Sequence, residues 1–239
     1  MLPKTATPRI VVLKSNRLFG ELISRHIKEY WRNAQVSVFQ KGFDALDSIQ
    51  ASMPDMFIGG VDIEDMDGLE HFEPFIDGNL PILIVSTRKD ERTFYLLRNI
   101  RFDGLYDAWE EGLINLHSAM QRVLEHQLYV SASFVPLLKK PKAITLDALT
   151  PMEELVLSIV GDGSDDQTTA ELLGITHRTA NTHRKKIMGK LRIHHRGQLM
   201  LYALQHGYVH VSPRGVFYPG FQRRIRQLAL ARGVAKQSA

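Results

Sequence analysis

Between positions 178 and 186 the chain carries Arg178, Thr179, Asn181, Thr182, Arg184, Lys185 and Lys186. These are the residue types that nucleic acid meets. Guanidinium and ammonium groups hold phosphate, an amide can pair with adenine at two points, an ammonium reaches guanine, and a threonine methyl meets the thymine methyl. After Glu171 there is no acidic residue, while 13 Lys+Arg remain. A second group, Asp62, Glu64, Asp65 and Asp67, could offer oxygens to a hard cation, but an acidic run of this kind is more economically read as a solvated loop. Six of the ten histidines lie in the back half. Of these only His206 and His210 stand at four-residue spacing, with Gly207 between them, so no metal site is expected. There are no cysteines, which excludes disulfides, thiolate metal sites and a cysteine nucleophile. No phosphate-binding glycine loop follows the first apolar run and no nucleophile–base pair is legible, so neither an enzyme nor a cofactor is expected.

The basic residues need a rigid carrier. Thr150, Pro151 and Glu153 form the start signal of a helix whose apolar face is Leu155, Val156, Ile159 and Val160, closed at Gly163. Asp165 or Asp166 caps a second helix through Leu173, and Gly174-Ile175 makes the turn. Thr176 then caps a third helix to about Leu191, with Ala180, Ile187 and Leu191 inward, and a fourth runs from His195 to His206. Two short helices, a glycine turn and a basic third helix are a helix-turn-helix.

The front half is built differently. Apolar runs at Ile10–Leu13, Val36–Phe39, Met56–Ile58, Ile82–Val85 and Gly104–Tyr106 alternate with helical spacing, such as Leu18, Leu22, Ile23 and Ile27 on one stripe. That alternation predicts an α/β domain: a five-stranded, doubly wound parallel sheet with its function at the carboxyl ends of the strands. Charge separates the halves. Residues 1–130 hold 14 Lys+Arg against 19 Asp+Glu, and residues 131–239 hold 16 against 7. This is the footprint of a regulatory half joined to a nucleic-acid-binding half. The stretch from Tyr129 to Asp147, with two prolines and a Lys-Lys-Pro-Lys cluster, reads as a linker. The expected organisation is 8–130, a linker at 131–147, an all-α domain at 148–210 and a basic extension at 211–239. That extension contains an amphipathic "FQRRIRQLALAR" that could lengthen a DNA contact, cover the fourth helix or fray.

Two resemblances follow from these motifs. "LTPMEELVLSIVGDG…ELLGITHRTANTHRKKIMGKL" resembles the LuxR/FixJ/NarL DNA-binding domain, a four-helix unit without a wing. "PDMFIGGVDIEDMDGLE" followed by "LPILIVSTRKD" and "FDGLYDA" resembles the receiver domain of response regulators. The first implies that Asn181, Thr182 and Lys185 face bases while Arg178, Thr179, Arg184 and Lys186 hold phosphates. Arg192 replaces the usual helix-ending glycine. The second implies a phosphorylation site that is degenerate here. Lys14 and Ser15 stand at the acidic pair, Gly60 at the phospho-accepting aspartate and Ala108 at the lysine, and only Ser86 keeps its hydroxyl.

Together the resemblances imply a cytoplasmic, dimeric regulator of transcription that binds double-stranded DNA without aspartyl phosphorylation. Dimerisation would use the fourth and fifth helices and fifth strand of the front half, or Leu199 and Ala203 on the last helix of the back half. The alternative is an auxiliary regulator that pairs with a conventional response regulator. RNA polymerase is a further candidate partner, and no membrane association is expected. An autoinducer-binding front half is disfavoured because its sheet would be antiparallel.

Overall fold

The computed structural model describes residues 7–63, 65, 79–98, 100–139, 149–212, 215–219, 221 and 225. They divide into two compact units, one of residues up to 89 with 96–139, the other of 90–95 with residues from 140 on. Among the described residues no helix is long and apolar enough to cross a membrane.

Near-continuous apolar runs suit strands buried on both faces, and such strands form a parallel sheet. The strands are β1 (Arg9–Leu13), β2 (Gln35–Phe39), β3 (Met56–Gly59), β4 (Ile82–Ser86), β5 (Gly104–Asp107) and β6 (Tyr129–Val130). Their spatial order is β2-β1-β3-β4-β5-β6, every pairing parallel. Helices α1 (Arg17–Tyr30), α2 (Gly42–Ala51), α3 (Glu91–Leu97) and α4 (Leu116–Leu124) follow β1, β2, β4 and β5. Between β3 and β4, residues 64 and 66–78, Glu64 and Asp67 among them, lie outside the described residues. On one face of the sheet Ile10, Val12, Met56, Ile58, Leu83 and Val85 pack beneath Ile23 and Ile27 of α1 and Met120 and Val123 of α4. Each fully buried side chain of this size contributes about 1.5–3 kcal/mol. The chain reverses its winding direction between β1 and β3, so the carboxyl ends of those strands form the topological switch point.

Three expectations for the front half are corrected. Leu18 and Leu22 are exposed, at 67% and 40%, because they lie about 100–180° round the helix from Ile23 and Ile27, on its far side. The sheet has six strands rather than five: Tyr129 and Val130 pair with Gly104 and Leu105 of β5. A two-residue strand is too short to show a period. Residues 131–139, expected to be linker, belong to the first unit. Ser131 and Phe134 are fully buried, the Ser133 hydroxyl donates to Asp107 Oδ2 at 2.6 Å, and Arg98 Nη2 donates to the Leu137 carbonyl at 2.7 Å. A helix, α5 (Val135–Lys139), begins at the Pro136 turn, as suits proline in a first helical turn. Residues 140–147 lie outside the described residues.

The second unit contains α6 (Pro151–Val160), α7 (Asp166–Leu173), α8 (His177–Leu191) and α9 (Arg196–Gln205). The start signals act as expected. Thr150 and Glu153 form a reciprocal capping box, Asp165 caps α7 through the Thr168 amide, and Thr176 caps α8 through the Thr179 amide. Gly174 (φ +63°) ends α7 and Arg192 (φ +54°) ends α8, both left-handed. Helix α6 closes at Gly161 rather than Gly163. A Cβ at Gly161 would lie 2.4 Å from that of Ala203, so α9 approaches as closely as glycine allows.

This half is not all helix. β7 (His210–Ser212) and β8 (Gly215–Phe217) form an antiparallel hairpin across the expected boundary at 210. Beyond it Phe221 packs with Leu155 and Ile159, and the Tyr218 hydroxyl hydrogen-bonds Asp162 Oδ2. The described part of the extension therefore covers α6, the first helix of this unit. Most of the "FQRRIRQLALAR" stretch lies outside the described residues.

The new domain limit is testable. Phe134→Ala is expected to destabilise the first unit by about 3–5 kcal/mol, the cost of emptying a buried phenylalanine site. Denaturant titration reads this directly, and an unchanged midpoint would return residues 131–139 to the linker.

Candidate functional site

The carboxyl ends of β1, β3 and β4 bring three expected residues together. Lys14 follows β1, lies over the Phe19 ring at 4.8 Å and donates from Nζ to the Val85 carbonyl at 3.0 Å. Gly60 follows β3. A Cβ built there would stand 2.7 Å from Lys14 Nζ and 3.2 and 3.3 Å from its Cδ and Cε. The lysine thus occupies the space a side chain at position 60 would need. Burial pulls the Lys14 ammonium down to about 8, with Asp62 opposing that shift. Ser86 is buried, and its hydroxyl oxygen accepts from the Arg88 amide at 3.0 Å. Ala108 donates its amide to the Ser86 carbonyl at 2.9 Å. Ser15 is half-buried in the turn after Lys14.

The acids read as a solvated loop are engaged where they are described. Asp62 Oδ1 accepts from Arg88 Nη1 at 3.0 Å. Asp65 accepts from the Gly42 and Phe43 amides at 2.8 and 3.2 Å, supplying the cap to α2 that Lys41 lacks. Asp107 was not anticipated. Wholly buried at the end of β5, it accepts from the Trp109 and Glu110 amides and from Ser133, and pairs with Lys89 at 3.2 Å. The carboxylate that closes the otherwise apolar Gly104–Asp107 strand was the one signal for it.

Helix α8 divides the seven DNA-contact candidates. Ala180 and Ile187 face the core and are fully buried. Arg178, Thr182, Lys185 and Lys186 are exposed, at spacings that place them on one side of the helix. The Thr182 hydroxyl donates to the Arg178 carbonyl at 2.8 Å, and the half-buried Thr179 bonds Thr176. Asn181 and Arg184 are arranged otherwise. Asn181 Nδ2 donates to Asp166 Oδ2 at 2.6 Å. Arg184 grips the same carboxylate at both oxygens, Nε to Oδ1 at 2.7 Å and Nη2 to Oδ2 at 2.8 Å. Asp166 opens α7, so the three bonds tie the two helices of the helix-turn-helix together. Of the residues expected to meet DNA, Arg184 at phosphate and Asn181 at a base, both are bound in this structure by an acid of the preceding helix. Only the residues of α8 itself were weighed in the sequence, and Asp166 lies fifteen positions before Asn181.

Leu199 and Ala203 are also corrected. Both are buried in the core of their own unit, with Val156, Val160 and Ile187, and offer no surface to a second chain. The exposed apolar residues of α9 are Leu201 and Leu204.

The chain thus joins an α/β unit of parallel strands to a helical unit whose helix-turn-helix carries a basic third helix. Residues 147–203 match the family model for bacterial regulatory proteins, luxR family. The chain is similar to response regulator protein VraR of Staphylococcus saprophyticus, 23% identical over 175 residues, 71% of this chain and 83% of VraR. It is similar to transcriptional regulatory protein MctR of Rhizobium johnstonii, 27% identical over 159 residues, 66% and 74% of the two chains. In fold it is similar to RcsB of Salmonella enterica serovar Typhimurium bound to promoter rprA, with a TM-score of 0.56, 14% identity, and 82% and 98% of the chains covered. VraR and RcsB are response regulators and MctR is a transcriptional regulatory protein.

The clamp carries a pH dependence. Arg184, with Asn181 and Arg196 adding and burial opposing, holds the Asp166 carboxyl down to about 2. A carboxyl depressed on folding stabilises fully above its unfolded value near 4, and that contribution disappears as pH falls through 2. The second unit is expected to lose stability between about pH 4 and pH 2, and Asp166→Asn to lose less over that interval. Chemical denaturation across the interval measures both, and identical pH profiles would remove the clamp from the stability of the unit.

Proposed function

We propose that the protein is a sequence-specific DNA-binding regulator of transcription, built as a response regulator whose receiver-like half works without aspartyl phosphorylation. The observation that carries the DNA reading is the exposed basic side of α8, Arg178, Thr182, Lys185 and Lys186, inside a region that matches the luxR-family model. Phosphate contacts from Arg178 and Lys186 fix register, while Lys185 and Thr182 meet base edges. Relatives support the reading, since RcsB is a response regulator seen in complex with DNA.

The phosphorylation-independent mode rests on Lys14 and Gly60. An acceptor carboxylate cannot stand at position 60 while Lys14 keeps its place, and the lysine brings a cation to the space a divalent metal would need. We further propose a homodimer in the cytoplasm. RcsB dimers on DNA support the dimer, and a symmetric pair of reading helices suits two half-sites. The second reading, an auxiliary regulator that pairs with a conventional response regulator or with RNA polymerase, is favoured where the protein alone is monomeric and fails to shift DNA.

Two measurements test this function. Incubation with acetyl phosphate and magnesium is expected to leave the intact mass unchanged; a stoichiometric phosphoryl adduct would end the phosphorylation-independent reading. Gly60→Asp alone is expected to remain unmodified, because Lys14 and Ser15 still stand where magnesium would need carboxylates. On DNA, Lys186→Ala should weaken operator and scrambled duplexes alike and reduce the salt slope by about one unit. An unaltered slope in a binding titration from low to high salt would take Lys186 off the phosphate backbone.

A further inference from the structure

Asp166 is 4% exposed and is met by three residues of the DNA-binding half. Asn181 and Arg184 reach it from α8, and Arg196, half-exposed at the start of α9, stands 3.7 Å from Oδ1. Both carboxylate oxygens are taken, Oδ1 by Arg184 Nε and Oδ2 by Arg184 Nη2 and Asn181 Nδ2. A bidentate guanidinium–carboxylate pair fixes orientation as well as distance. Here it fixes how far α8 is rotated about its own axis relative to α7.

The arrangement also determines which chemistry is left for DNA. Adenine is recognised by an amide that donates to N7 and accepts from the N6 amino group at once. Asn181 is the amide of α8 among the residues that sequence assigns to DNA, and its Nδ2 is drawn toward Asp166 through one of its two N–H donors, which turns the amide plane toward α7. The exposed residues Arg178, Lys185 and Lys186 have donors and no acceptors. The Thr182 hydroxyl proton is engaged by the Arg178 carbonyl. Donors suit the N7 and O6 acceptors of guanine, and the threonine methyl suits thymine.

We propose that Asp166 is a positioning residue that sets DNA specificity: by binding Asn181 and Arg184 it confines recognition to Arg178, Thr182, Lys185 and Lys186, making α8 a reader of guanine and thymine-methyl edges rather than of adenine. This rests on the DNA-binding function proposed above. It assigns Arg184 to orientation and removes it from the phosphate contacts.

The test uses the full chain and the duplex that the wild-type protein selects from a random pool. Asn181→Ala is expected to keep the preference for that duplex over scrambled DNA within about twofold. Direct adenine pairing would instead cost roughly 5- to 150-fold, the fold equivalent of a lost base pairing. Arg184→Gln is expected to leave the salt slope at the wild-type value, where a phosphate contact would lower it by about one unit. Asp166→Asn, which keeps an acceptor oxygen, is expected to steepen the slope and relax the preference, because Arg184 is released toward DNA. Loss of selectivity in Asn181→Ala, or a lower slope in Arg184→Gln, overturns the inference. Asn181→Ala decides alone if Arg184→Gln does not fold. Wild-type protein that selects no duplex overturns the DNA-binding function, and this inference with it. Intact selection combined with wild-type behaviour of Asp166→Asn in both readouts overturns the inference only.

Discussion

A single ammonium group at the switch point constrains the receiver-like unit. A charge withdrawn from water must be met by partners or shifted toward neutrality, and Lys14 shows both responses. Its Nζ bonds the Val85 carbonyl and lies over the Phe19 ring, and burial lowers its proton affinity. The side chain needs room, and glycine at position 60 provides it. Asp62 is near enough to oppose the shift but pairs with Arg88, whose amide in turn bonds Ser86. The ends of β1, β3 and β4 are thus linked through one lysine, and positions 14 and 60 are coupled. An acid restored at one position alone meets an occupied site.

The second unit obeys the same constraint with the opposite sign. Asp166 is an acid enclosed by a basic half, and it is tolerated because a guanidinium and an amide meet both its oxygens. Removing one partner of such a buried pair leaves an uncompensated charge and is far more costly than the net worth of the pair. The arrangement draws Arg184 away from the surface, yet Arg178, Lys185 and Lys186 of α8 stay exposed. Cationic character is therefore distributed between holding the motif together and meeting a polyanion.

Much of this was legible in the sequence, and what was not has physical reasons. Caps were the clearest signals, because Thr150, Glu153, Asp165 and Thr176 satisfy backbone groups within three residues of themselves. The parallel sheet was legible because its central strands are apolar throughout. β6 was not, since a two-residue strand has no period and its partner Gly104–Leu105 lies 25 residues earlier. Leu199 and Ala203 were assigned to a surface because the fourth helix is apolar on more than one side. Its inner side was settled by contact with α6 and α8, which no local pattern reveals. The clamp on Asn181 and Arg184 and the stapling of Ser133 to Asp107 are likewise long-range.

The turn after α8 holds two preferences in opposition. Arg192 adopts a left-handed conformation at φ +54°, where a side chain costs roughly 1–2 kcal/mol relative to the ordinary helical region and where glycine is at ease. A cation at a helix carboxyl end recovers about 0.3–1 kcal/mol by meeting the helix dipole, so the conformation stays disfavoured on balance. The replacement that would relieve this turn also discards a positive charge from the basic half of the chain. At this residue, thermal robustness and attraction to a polyanion pull in opposite directions, and the chain stands on the side of attraction.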